Sequence, residues 1–154
     1  MSNMTPSADA AAANADVCVP LYRLAHSRSG DKGDISNLSL IAWDADCYAV
    51  IDAYVTAERV REWFSYRRPR AVTRYDLPRL HAMNFVLDGV LDGGVNDALN
   101  LDAHGKSLSF WLLDMPVPVS PGLAARLPDV PGGTDSWRDA VRGRPGGPAA
   151  PPAP

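Results

Sequence analysis

His26-Ser27-Arg28-Ser29-Gly30-Asp31-Lys32-Gly33-Asp34, closed three residues later by Asn37, decides how the chain is read. These residues include no large hydrophobe, yet they lie between two apolar runs. On one side, Val19-Pro20-Leu21-Tyr22-Arg23-Leu24-Ala25-His26 has the alternation and β-branched start of a strand; on the other, Ile35 to Trp43 ends in Leu38-Ser39-Leu40-Ile41-Ala42-Trp43. The pattern predicts two strands joined by a polar loop. A core cannot use such a segment, so it is either an ordinary solvated loop or a polar site held between the strands.

Further along, Cys47, Val50, Ile51, Tyr54 and Val55 fall at helical spacing. Thr56 can cap a second helix with Val60, Trp63 and Phe64 as its apolar stripe, and Pro69 stops it. Val72 to Leu77 alternate as a third strand that Pro78 ends. A helix is predicted over Ala82 to Leu91, with Met83, Val86, Leu87 and Val90 on one face and Gly93-Gly94 beyond its end. Leu108, Trp111, Leu112 and Met115 sit at helical spacing, but Leu99 and Leu101 alternate before Asp102-Ala103-His104-Gly105-Lys106. A short polar loop ending near a glycine favours a hairpin of strands Val95 to Asp102 and Ser107 to Leu113. This order predicts helices on one mostly antiparallel sheet, an α+β sandwich.

With 154 residues, 46% hydrophobic and 21% charged, the chain is long enough for one domain. Residues 1–16 and 120–154 read as tails, the second rich in Pro, Gly and Ala, and the folded unit spans 17–119. Leu123, Leu127, Val130 and Trp137 are exceptions in the second tail, suited to lie against the domain or a partner. A net charge of -3 argues against nucleic acid as a partner. No apolar run approaches the roughly 18 to 20 residues of a membrane span, and the start lacks a secretory pattern, so a cytoplasmic protein is expected. Cys18 and Cys47 have no metal-like spacing and are expected as free thiols.

The chain has no Gly-x-Ser-x-Gly, no P-loop, no Cys-x-x-Cys and no His-x-x-x-His, so no metal site and no complete active site is visible. The polar stretch remains. Gly30 and Gly33 let backbone N–H groups converge, and Arg28 and Lys32 add positive charge; with Ser27, Ser29 and Asn37 they can hold a carboxylate or phosphate. Asp31 and Asp34 can orient the basic groups, accept from a substrate hydroxyl or contribute to a divalent-cation shell, and His26 can donate or accept a proton near neutral pH. The plainer reading is an exposed turn with local Asp-to-backbone bonds. Asn84, in Leu80-His81-Ala82-Met83-Asn84-Phe85, lies among residues that want burial and is a second candidate for the site, or a group bonded to nearby backbone. Arg67, Arg68, Arg70, Arg74 and Arg79 suit coenzyme phosphates, an acidic partner or simply a solvated turn; His104 reads as an exposed turn residue.

The polar stretch, together with Thr56-Ala57-Glu58-Arg59-Val60, Tyr75-Asp76-Leu77-Pro78, Met83-Asn84-Phe85-Val86-Leu87, Gly93-Gly94 and Leu101-Asp102-Ala103-His104-Gly105-Lys106, resembles the AtuA-like ferredoxin-fold family over about Val19 to Val117. Asp92 departs from that pattern, where the family often has glycine. The family is the small domain of acyclic terpene utilisation proteins, also found as a short separate protein. The resemblance implies a ferredoxin-like two-layer sandwich, its mostly antiparallel sheet covered by helices on one face. It also implies a larger acyclic-terpene-utilisation-type subunit as partner and a place in catabolism of acyl-CoA compounds or related carboxylic acids. No resident cofactor is expected, and an acyl-CoA fits as substrate. The leading expectation is a small subunit that brings a polar loop to a hydratase or lyase site at the subunit interface. The alternatives are a non-catalytic interaction module using Trp43, Trp63, Trp111 and the Arg run, and, more weakly, an independent small enzyme. Self-association through an open sheet edge is a further possibility.

Overall fold

The computed structural model describes residues 16–128. Its central feature is a four-stranded antiparallel sheet ordered β2 (Ala25–Lys32), β3 (Ile35–Ala42), β5 (Ala82–Asp88) and β4 (Ala71–Leu77). Helices α1 (Ala45–Tyr54) and α2 (Ala57–Trp63) connect β3 to β4, and α3 (Leu108–Leu113) follows β5 and packs on β2. A separate ribbon pairs β1 (Val17–Pro20) with β6 (Pro116–Val119), and α4 (Pro121–Arg126) packs against β1. Because β3 and β4 each pair antiparallel with β5, they run parallel to one another with β5 between them, a split β-α-β unit. β5 and α3 form the start of a second such unit, whose last strand is β2, taken from earlier in the chain. The sheet is thus a ferredoxin-like one in cyclically shifted order.

The hydrophobic pattern fixes which face is covered. Leu38 and Leu40 of β3 and Met83, Phe85 and Leu87 of β5 are fully buried, and with Ile51, Val60, Phe64, Leu108 and Leu112 from the helices they form one core. Asp44 caps α1 by accepting from the Cys47 amide at 2.8 Å, and Thr56 caps α2 through the Arg59 amide at 3.2 Å. Burial and the neighbouring Asp44 push the Cys47 thiol up to about 11. Cys18 and Cys47 are free thiols.

β4 is an edge strand with an inward-pointing charge. The Arg74 guanidinium donates to the carbonyls of Asp52 (2.8 Å) and Val55 (3.1 Å) at the end of α1, and pairs with the Asp52 and Asp76 carboxylates. It satisfies helix-terminal carbonyls and guards the edge against pairing.

Four expectations are corrected. The polar stretch is not a loop: β2 continues to Lys32, and the chain reverses at Gly33 and Asp34. The ladder is made by backbone groups, so an edge strand with one open face tolerates polar side chains. The strand expected over Val19 to His26 is broken by a helical turn at Leu21–Arg23, which separates β1 from β2. The helix expected over Ala82 to Leu91 is strand β5. Met83, Phe85 and Leu87 alternate inward, while Val86 on the other face completed a misleading helical pattern. The hairpin over Val95 to Leu113 is a set of turns followed by α3. Its alternating Leu99 and Leu101 both point into solvent, 102% and 110% exposed. Gly105 does adopt the left-handed conformation (φ 65°), but it serves the entry to α3, where the Asp102 carboxylate accepts from the amides of Lys106 and Ser107 at 2.8 Å each.

The folded unit also extends beyond the boundary expected at 119. Leu123 and Leu127 are buried, and Arg23 donates to the carbonyls of Ala124 and Leu127. Residues 1–15 and 129–154, with Val130 and Trp137, lie outside the described residues.

Candidate functional site

Period-two alternation distributes the expected site residues over two sides of β2. Ser27, Ser29 and Asp31 face the helices; His26, Arg28, Gly30 and Lys32 face away. The two sides are built differently.

On the helix side the polar groups are bonded into the fold. Ser29 is 7% exposed; its hydroxyl donates to the Lys106 carbonyl (3.1 Å) and accepts from the Ser109 amide (3.0 Å), pinning the start of α3 to β2. The Ser27 hydroxyl is buried, with no partner among the described residues. Asp31 accepts from the Lys106 ammonium and lies 3.0 Å from Nδ1 of His104. These two contacts, Lys106 foremost, hold the Asp31 carboxyl below its ordinary value. Asp102 is held low as well: burial works against this, but the Ser107 hydroxyl and amide and the Lys106 amide outweigh it.

The Asp34 carboxylate, expected as a catalytic group, is bonded into the fold. Its Oδ1 accepts from the amides of Leu91 (3.1 Å) and Gly93 (3.0 Å), and its Oδ2 pairs with Arg70 (3.1 Å). Gly33 belongs to the same clamp: a Cβ on Gly94, which has φ 97°, would stand 2.9 Å from the Gly33 carbonyl oxygen. The two turns meet so closely that Gly94 has no room for a side chain, whereas Gly33 faces open space. Asp92, beside them, takes a left-handed conformation (φ 53°), held by Arg67 (3.1 Å) and Asn100 (2.7 Å).

On the other side the sheet carries no helix. Cross-strand register aligns Arg28, Ser39, Asn84 and Tyr75 in one row over all four strands, and Gly30, Asn37, Val86 and Thr73 in the next. The two sequence stretches that carry Arg28 and Asn84 therefore converge. The Asn37 side chain leans over Gly30, its Oδ1 lying 3.9 Å from where a Gly30 Cβ would stand. His26 lies against Trp43, ring centroids 5.0 Å apart. Among the described residues, neither Arg28 nor Lys32 has an ion-pair partner.

This arrangement matches the family model of the AtuA ferredoxin-like domain over residues 19–118. The chain belongs to that family. No curated protein and no solved structure matches it. In this AtuA ferredoxin-like domain, then, six of the expected site residues (His26, Arg28, Gly30, Lys32, Asn37 and Asn84) share the bare face, while Ser27, Ser29 and Asp31 lie beneath it and Gly33 and Asp34 form a turn clamp.

His104 is the functional candidate that sequence reasoning passed over. It lies 73 positions from Asp31, and the Asp102-Ala103-His104-Gly105-Lys106 motif was the available signal. The Arg run is mostly spent on ion pairs: Arg67 with Asp92, Arg70 with Asp34 and Asp88, and Arg74 with Asp52 and Asp76. Trp63 and Trp111 are tied to one another, each indole N–H donating to the other's carbonyl (2.8 and 3.2 Å) with rings stacked at 5.2 Å. A depression of about 600 Å³ on α2 and the following turn, lined by Glu58, Arg61, Glu62, Ser65, Arg68 and Pro69, shares no residue with either side of β2. Among the described residues, no three His, Cys, Asp or Glu side chains gather as a metal site, and no helix is long and apolar enough to cross a membrane.

Proposed function

We propose that this domain is the small subunit of a two-component enzyme and completes a site shared with a larger acyclic-terpene-utilisation-type subunit. The Asp31–His104–Lys106 cluster carries this reading. It brings an acid, an imidazole and an amine together from two distant motifs, and the His104 and Lys106 side chains are each 57% exposed. When the carboxylate accepts from Nδ1 of His104, Nε2 is left to take or give a proton. Hydration of a double bond beside a carbonyl, and its reversal, requires such a proton transfer and a positive group near the developing negative charge. Lys106 can supply that charge. Asp31 keeps the site role expected of it, His104 replaces His26 as the acid-base group, and the partner provides the walls of the site. The substrate class is an acyl-CoA or related carboxylic acid, and the setting is cytoplasmic catabolism.

A second reading, a non-catalytic module that stabilises a partner, is favoured by the exposed Trp43 and Tyr75 on the bare sheet face. An assay of the purified larger subunit, alone and mixed with this chain, against enoyl-CoA substrates separates the two. The proposal expects turnover in the mixture alone, and His104→Gln to lower kcat by about 100-fold or more while the subunits still co-purify. Undiminished turnover with His104→Gln leaves the module reading.

A further inference from the structure

The bare face of the sheet has a charge pattern of its own. On β2 it presents Arg28 and Lys32 with no ion-pair partner among the described residues. The acid in register with Lys32 across β3 is Asp88, and Arg70 occupies it at 2.8 Å and 3.1 Å. β3 and β4 add no charged side chain to this face. A positive margin thus stands on a chain of net charge -3, where scattered surface charge would be acidic on balance.

The opposite end of the same face is mostly apolar, with the His26 ring lying against Trp43. Leu77 is in register with Ala82 and, through it, with Ile41, and just beyond the strand ends Trp43 is 53% and Leu80 68% exposed. Between the two ends lies the uncharged polar row of Ser39, Asn84 and Tyr75. An apolar zone, a hydrogen-bonding row and a positive margin on one open sheet are features of a surface that packs on another protein.

We infer that the open face of the β2-β3-β5-β4 sheet is where the larger subunit docks, through a surface that sets carboxylates against Arg28 and Lys32 and apolar side chains against Trp43, Leu77 and Leu80. This rests on the two-subunit reading and adds the location and chemistry of the contact. Such docking places the edge of the partner beside the β2 end that carries Asp31 on its other side, so the partner reaches the His104 cluster around the rim of the sheet.

Arg28→Glu/Lys32→Glu tests the inference, with the purified larger subunit as probe and binding measured at low and high salt. Wild-type chain is expected to bind more weakly as salt rises, and the double variant to bind about tenfold or more weaker at low salt with an unchanged melting temperature. A control pair, Arg59→Glu/Arg61→Glu on the exposed side of α2, is expected to bind like wild type. If wild type binds and the Arg28/Lys32 variant binds equally well, the docking inference is wrong while the two-subunit reading stands. If wild type does not bind the larger subunit, the two-subunit reading fails and takes the inference with it. If the variant changes self-association instead, the face belongs to a second copy of this chain and the inference is overturned.

Discussion

Along β2, Ser29 and Asp31 on the helix side are bonded to the segment that opens α3, while Arg28 and Lys32 on the open side hold no charged partner among the described residues. The two sets alternate in sequence and look alike in composition. A polar group under a helix is retained because leaving it unbonded is costly, so it reports on the fold. A charged group on a bare sheet owes the fold little and reports on what the sheet meets.

The sharpest break in this comparison is on β3, where Asn37 and Leu38 are neighbours facing opposite ways. Leu38→Ala empties a fully buried position and is expected to cost about 2 to 5 kcal/mol, against about 0.5 kcal/mol or less for Asn37→Ala, both read by urea unfolding. Glycines give a second pair. Gly94→Ala drives a Cβ against the Gly33 backbone at a positive φ and is expected to cost about 1 to 3 kcal/mol. At Gly30 an added methyl meets ordinary contacts at 3.9 Å, so Gly30→Ala changes the unfolding midpoint little. On β2 itself, Ser29→Ala removes two bonds to the start of α3 and is expected to cost about 1 kcal/mol, while Arg28→Ala leaves the melting temperature where it was. Equal losses at Ser29 and Arg28 would erase the distinction between the sides.

The smallest effect is a pH dependence on the helix side. Asp31 has its folded pKa lowered, first by Lys106 and then by His104, so its contribution is present above the ordinary carboxylate value and is lost as pH falls through the lowered folded value. Wild type is therefore expected to exceed Asp31→Asn in urea midpoint at about pH 5, with the gap closing below about pH 4. A gap that instead widens in acid would contradict the assignment.

Much of the fold was legible because local signals agreed. Thr56 capped a helix with a clear stripe, Pro78 closed a strand, and Leu38 and Leu40 marked a core face. β5 was misread because a central strand with apolar residues on both faces carries helical spacing as well as alternation; Met83, Val86 and Leu87 fit either. Leu99 and Leu101 misled in the opposite way, alternating in a segment that buries neither. In the candidate site, the polar stretch stands out in the sequence as chemically rich, but a loop has no sides, and reading it as one hides the division between Ser29 and Arg28. The meeting of Asp31 with His104 and Lys106 depends on α3 packing over β2, which no local spacing encodes.

The chain has two lysines, and they fall on opposite sides of this division: Lys32 on the open face and Lys106 bonded to Asp31. Acylation of each amine, followed by mass spectrometry with and without the larger subunit, therefore reads the two sides separately in one sample. The account predicts that Lys32, within the docked face, loses most of its reactivity when the partner is added, while Lys106, at the rim of the shared site, loses less of its own. Shielding of Lys106 with Lys32 left as reactive as in the free chain would contradict it.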